Sequence, residues 1–209
     1  MNWFRIPKES SLKPQKGKYY WHWKEDLSKE GKEQCVYCTI NINSFGGIRN
    51  FHVEHYRPKA EDKFPALKHE YSNLFFACSI CNGFKGDDWP SDPSERLDNV
   101  SYPDPSIIDY SIFLYQNANY LVESKTVSGK YIIQKLFLNR PQLILERKSS
   151  QLHETLQNEY KKLIVILHRI QESDPTNPLI IGYIQAVETI TLLIREKYIN
   201  PYKESEIKR

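Results

Sequence analysis

Apolar residues recur along this chain with two rhythms, and the change between them divides it. From about residue 140 onward the spacing is helical: Leu152, Leu156, Tyr160, Leu163, Leu167 and Ile170 return at threes and fours and line one side of a helix. Asp174-Pro-Thr-Asn-Pro178 interrupts the run, and Ile181, Ile184, Val187, Ile190, Ile194 and Tyr198 form a second stripe. Asn139 fits an N-cap with Pro141 in the first turn, and Asn177 with Pro178 repeats that pattern. Two stripes joined by a short turn predict an antiparallel helical hairpin. Such a hairpin either docks a partner or forms a second layer over the core.

The first half of the chain is built from shorter pieces. Ile48, Phe51, Val53 and Tyr56 mark a strand over 48–56, preceded by the turn sequence Gly46-Gly47 and ended by Pro58. A polar loop over 59–70 leads to the apolar run Leu74 to Ala77, and a helix is expected from Ser79 to about Lys85, stopped by Gly86. Pro90, Pro93, Pro103 and Pro105 forbid a regular element and predict a linker over 89–108. Ile112 to Tyr115 and Tyr120 to Glu123 then flank a turn at Gln116 to Asn119 as a hairpin, followed by a short helix over 129–137 capped by Ser128. The predicted class is α+β. Its parts are an N-terminal arm over 1–34, a core over 35–88, the linker, and an accessory region of hairpin and helices over 109–209.

Composition narrows the picture only a little. With 40% hydrophobic and 26% charged residues among 209, the chain is globular rather than disordered. A net charge of +3 permits a polyanionic partner without demanding one. The first residues do not read as a signal peptide, and no run of about 18 apolar residues is present to span a membrane. A cytoplasmic protein is expected, where paired C-x-x-C motifs point to metal before disulfide.

All four cysteines fall in the core, as Cys35-x-x-Cys38 and Cys78-x-x-Cys81. Two such pairs complete a tetrahedral thiolate set for structural zinc. Between them lie Glu54-His55, Arg57, Lys59 and Asn73, and Asn82 and Lys85 follow three apart on one helix face. This is an inventory for phosphodiester hydrolysis. A neutral imidazole at His55 can serve as general base. The Glu54 carboxylate and the Asn82 amide oxygen are hard ligands suited to Mg²⁺. Arg57, Lys59 and Lys85 supply positive charge for substrate phosphate. His52 shares a strand face with Glu54 and is expected to be a half-buried strand residue, with an extra ligand as the alternative. His69 is expected in solvent.

The motifs Val53-Glu54-His55-Tyr56-Arg57-Pro58-Lys59, Tyr71-Ser72-Asn73-Leu74 and Cys78-x-x-Cys81-Asn82-x-x-Lys85-Gly86-Asp87, with the first cysteine pair, resemble the HNH endonucleases. The likeness is to the McrA-like four-cysteine branch with a zinc-stapled ββα-metal core, and it covers about a quarter of the chain. Residues 54–59, with Phe137-Leu-Asn-Arg-Pro-Gln-Leu143 and Glu146-Arg147, further resemble HNH effectors of Septu and retron-type anti-phage systems. The resemblance implies His55 as general base, Glu54 and Asn82 as ligands of a catalytic Mg²⁺ or Mn²⁺, and Asn73 as the middle residue orienting His55 or its loop. It also implies DNA as substrate and an ATPase partner. Glu and Asn stand where the family more often has Asp and His, which argues against zinc or nickel as the catalytic ion. The alternative is a non-catalytic zinc module that binds nucleic acid or protein.

The N-terminal arm interleaves Lys8, Lys13, Lys16, Lys18 and Lys24 with Trp3, Tyr19, Tyr20, Trp21 and Trp23. Such a segment can grip a backbone and stack bases. The plainer expectation is that its aromatics pack on the core and its lysines stay in water.

Overall fold

The computed structural model describes residues 3–8, 19–174 and 176–198. The chain forms two units, Met1–Glu146 and Arg147–Arg209. In the first unit, helix α1 spans Lys24–Glu30, strand β1 Phe51–His55, strand β2 Leu74–Cys78 and helix α2 Ser79–Lys85. Strands β3 (Tyr115–Gln116) and β4 (Val122–Glu123) make a small hairpin, and helix α3 spans Val127–Lys135. Helix α4 (Pro141–Ser173) begins in the first unit and continues into the second, where α5 (Leu179–Tyr198) follows. No helix of the described residues is long and apolar enough to cross a membrane.

Strands β1 and β2 pair antiparallel, with Phe51 opposite Cys78, Glu54 opposite Phe75 and His55 opposite Leu74. This register places the end of β1, where the charged residues lie, beside the start of β2. Every residue of β2 is buried, and Phe51 and Phe76 stack with centroids 4.5 Å apart. The strand predicted over 48–56 is shorter than expected because 48–50 form a single 3-10 turn after Gly46 and Gly47, both at positive φ. Helix α2 begins and ends where the residue pattern places it. The Cys78 sulfur caps its N-terminus through the Cys81 amide, and Gly86 leaves it at φ 50°.

The stretch 89–108 has no regular element, yet it is no detached linker. Leu97 and Tyr102 are buried in the core. Tyr56 donates its hydroxyl to the Tyr102 carbonyl at 2.8 Å, and Ile6 donates its amide to the carbonyl of Pro105 at 2.9 Å. Proline excludes helix and ladder but does not exclude packing. The hairpin is present with shorter strands than expected. Helix α3 starts two residues early, with Thr126 as its N-cap, while Ser128 is buried and donates to the Asn99 carbonyl at 2.8 Å. The side chain of Asn139, just before α4, accepts from the Val122 amide at 2.7 Å and donates to the Val122 carbonyl at 2.9 Å.

The arm mixes both expectations. Trp3 and Trp23 are buried, as the plainer one holds, but Tyr19 and Trp21 are exposed. Lys8 is not in water: it pairs with Glu30 at 2.5 Å and lies 4.1 Å from the Phe75 ring centroid. Lys13, Lys16 and Lys18 lie outside the described residues. Helices α4 and α5 match the two predicted stripes, of which Leu152, Ile181 and Ile184 are exposed and Leu156, Leu163 and Val187 half-buried.

Candidate active site

The sulfur side is assembled from two sharp turns. Cys35 to Ile40 folds back on itself, its ends joined by the Cys35 amide to the Ile40 carbonyl at 2.9 Å, and the Val36 amide reaches the Phe76 carbonyl of β2 at 2.9 Å. That link carries Cys35 and Cys38 to the β2–α2 junction, where Cys78 and Cys81 sit. The four sulfurs lie within 4.8 Å of one another and all are buried. Cys38 and Cys78 sulfurs are 3.7 Å apart, matching the edge of about 3.8 Å expected for a tetrahedron of ~2.3 Å metal–sulfur bonds. Hydrogen bonding from Cys35, Cys38 and Cys81 pulls the Cys78 thiol far below its ordinary value. The donor set fits zinc. It is the one such group of His, Cys, Asp and Glu side chains among the described residues.

Sequence reasoning gave Arg140 no role here. Its guanidinium lies 3.7 Å from the sulfurs of Cys38 and Cys81 and 3.9 Å from Cys78. Burial works against its charge, but the sulfurs of Cys81 and Cys38 outweigh that and its pKa is raised. A zinc ion with four thiolates carries a net charge of about −2, so a half-buried cation beside it offsets a charge that would be costly in a low-dielectric interior. The Phe137 to Leu143 stretch held the residue, but nothing local to it points at the cysteines.

On the other side of β1 and α2 lies a cleft of about 470 Å³ lined by Glu54, His55, Asn82, His52, Lys59 and Arg49 among others. Strand alternation would send Glu54 and His55 to opposite faces, yet both line the cleft, His55 as the last residue of β1. The imidazole Nε2 lies 3.0 Å from the Lys68 carbonyl oxygen. A carbonyl only accepts, so Nε2 carries the proton and Nδ1 keeps its lone pair in the neutral ring. Burial, with smaller contributions from the charges of Lys59 and Lys85, lowers the His55 pKa from 6.5 to about 4 against the opposing Lys68 hydrogen bond. His55 is therefore neutral at physiological pH.

Glu54 is buried and its two oxygens have separate duties. Oε1 receives Lys85 at 2.7 Å and the Tyr37 hydroxyl at 3.2 Å, while Oε2 receives the Asn82 amide at 2.5 Å. The spacing of Asn82 and Lys85 on α2 thus brings both to one carboxylate. Rotating the Asn82 amide by half a turn would present its oxygen beside Oε2 instead. One carboxylate oxygen and one amide oxygen suit a divalent ion that keeps waters and accepts substrate phosphate.

Several expected roles are redistributed. Lys85, expected at substrate phosphate, has a side chain with no exposed surface. Its ammonium group is held by Glu54 and by the His55 carbonyl at 2.9 Å, so it braces the site from beneath and cannot reach a phosphate. Arg57 points out of the cleft, facing Asp92 at 3.5 Å and the Phe64 ring. Lys59 does line the cleft, donating to the Tyr20 hydroxyl at 2.9 Å. Asn73 holds the loop that follows His55, one of the two placements expected for it. Its amide accepts from the Arg57 amide at 2.8 Å and donates to the Arg57 carbonyl at 2.9 Å, which clips the loop leaving β1. His52 is exposed and lines the cleft rather than being half-buried. His69 is part-buried against Tyr19 and Tyr20, not in open solvent. Tyr20 packs edge-on to His55 with centroids 4.7 Å apart, a contact with no signal in local sequence.

Residues 35–88, which carry the sulfur cluster and most of the cleft lining, match the family model of the HNH endonuclease. The wider chain is similar to the Septu protein PtuB of Bacillus thuringiensis, 28% identical over 136 residues that cover 62% of this chain. The chain spans about half the length of that relative, 48%. No solved structure matches it.

Proposed function

We propose that this protein is a metal-dependent endonuclease that hydrolyses phosphodiester bonds of DNA in the β1–α2 cleft. The observation that carries the reading is His55: a neutral imidazole held through Nε2, with Nδ1 free to accept a proton, beside Glu54 and Asn82. In this reading Nδ1 takes the proton of the attacking water, while the Lys68 carbonyl holds the ring and stabilises the charge it acquires. Glu54 and Asn82 would hold Mg²⁺ or Mn²⁺, which when bound supplies charge stabilisation to the scissile phosphate and leaving oxygen. Lys85 and Tyr37 fix the Glu54 carboxylate, and Asn73 fixes the loop that carries Lys59. Lys59 and Arg49 supply the cleft's charge for the backbone. The step needs no covalent intermediate.

A plasmid-nicking assay tests this. Wild type should nick supercoiled DNA with Mg²⁺ or Mn²⁺ and stop in EDTA, while His55→Ala should lose about 10²–10⁴-fold in rate with zinc content and melting temperature retained. Equal nicking by wild type and His55→Ala would refute the assignment.

The similarity to a Septu protein, and the resemblance of the 137–147 stretch to effectors of such systems, support a role in bacterial anti-phage defence beside an ATPase partner. Co-purification from the native host tests that part: an ATPase recovered in stoichiometric amount supports it, and a chain recovered alone counts against it.

A further inference from the structure

The wall of the cleft contributed by the N-terminal arm is aromatic, and the chemistry assigned so far leaves part of it unused. Tyr20 is committed to the site. Its ring meets His55 edge-on, its hydroxyl accepts from Lys59, and the Lys59 ammonium lies 4.1 Å from its centroid. Trp21 lines the same cleft but keeps 50% of its surface in water. It stacks on Tyr19 with centroids 4.5 Å apart and planes 6° from parallel. The pair is held in place rather than trailing. The 3-10 turn Tyr20–Trp23 is closed by the Tyr19 amide on His22 Nδ1 at 3.0 Å, and Trp23 anchors it, buried against Tyr71.

An exposed indole prestacked on a phenol ring presents a flat, polarisable surface at a fixed height. Lys24, Arg49 and Lys59 lie around the same cleft. Flat rings for bases with cations for the flanking phosphates is the combination by which proteins hold unpaired nucleic acid. Bases inside a paired duplex have both faces covered by their neighbours, so a ring in the cleft wall can stack only on a base that is unpaired, flipped or terminal. On the catalytic side Trp21 meets Tyr20 edge-on, with centroids 5.0 Å apart, and half of its surface still faces water.

We infer that Tyr19 and Trp21 form a base-stacking platform, and that the substrate of this site is nucleic acid with an unpaired nucleotide beside the scissile phosphate. The inference rests on the nuclease reading and names the substrate class within it.

The test is binding rather than cleavage, using full-length protein carrying His55→Ala so that substrate survives. Fluorescence anisotropy compares a labelled single strand, the matched duplex, and a duplex with a small bulge, each as DNA and as RNA. The single strand and the bulged duplex should bind more tightly than the matched duplex. Adding Trp21→Ala should weaken those two by roughly five- to 150-fold and leave the matched duplex unchanged. Trp21→Phe should recover most of the loss, whereas Trp21→Leu, of similar apolar bulk, should not. Zinc content and melting temperature of each variant separate stacking from misfolding. Equal affinity for paired and unpaired substrates, or a Trp21→Leu protein that binds like Trp21→Phe, overturns the platform. The DNA and RNA arms identify the sugar. If wild type nicks nothing while the binding pattern holds, the nuclease reading fails and the platform stands.

Discussion

Cys81 and Asn82 are neighbours on α2, yet one faces the sulfur cluster and the other the cleft. The two sides share helix α2 and solve different problems. The sulfur side is closed: four buried thiols with a half-buried guanidinium beside them. The cleft side is open, and its polar groups are held from behind by a buried lysine, a buried tyrosine and a backbone carbonyl. A rigid closed site immediately behind an open one lets side chains that must stay partly desolvated keep a fixed geometry. In the proposed nuclease reading, stability and chemistry fall to adjacent residues rather than to separate domains.

The hardest test of that division is to change those neighbours one at a time. Cys81→Ser should cost the fold itself, because structural zinc contributes about 10–16 kcal/mol in small peptides against a total domain stability of ~5–15 kcal/mol. Loss of zinc and of the cooperative melting transition would be the readout. Asn82→Ala should keep zinc and melting temperature near wild type while lowering Mg²⁺-dependent cleavage by at least an order of magnitude. If both variants behave alike, the two sides are not separable.

A smaller effect sharpens the sulfur side. Arg140→Gln removes the guanidinium charge beside the thiolates but none of the ligands, so the protein should still fold with zinc. It should then surrender the metal to a competing chelator about 10–100-fold more readily. Unchanged zinc affinity would make Arg140 a packing residue only.

The smallest effect concerns pH on the cleft side. The folded His55 pKa of about 4 lies below its ordinary 6.5, so between those values the unfolded chain binds more protons than the folded one. This group's contribution to stability therefore rises with pH across that window and is complete above it. Cleavage should follow the folded value: the base stays unprotonated, and single-turnover rates should show no His55 break from about pH 5 to about pH 8. An acid limb centred near 6.5 would mean the imidazole is more solvated than the cleft indicates.

Legibility in the sequence varied with the range over which each feature is determined. The two C-x-x-C pairs, the Gly86 stop and the Glu54-His55 pair were readable because each depends on residues a few positions apart. Helix α2 was placed correctly from its pattern alone. A lysine on a short helix reads as a surface charge, whereas Lys85 is buried among remote partners: Glu54, the His55 carbonyl and the Tyr102 ring, 5.3 Å from its ammonium. The 89–108 stretch read as a linker for the same reason: proline content reports what the backbone cannot form, not what its side chains bury. Arg140 reaches Cys81 from 59 positions away, a contact that no local pattern encodes.

Spacing and residue type alone determined the gathering of four cysteines into one cluster with a zinc-like donor set, the placement of a histidine directly after a glutamate, and the helical nature of the C-terminal region. These follow from covalent geometry and from side-chain chemistry that is the same in any fold. Tertiary structure decided which cations line the cleft and which brace Glu54, that Asn73 clips the loop after His55, and that Trp21 stands in the cleft wall. Those outcomes depend on burial and on remote partners, because a charge or a ring acquires its role from what excludes water around it.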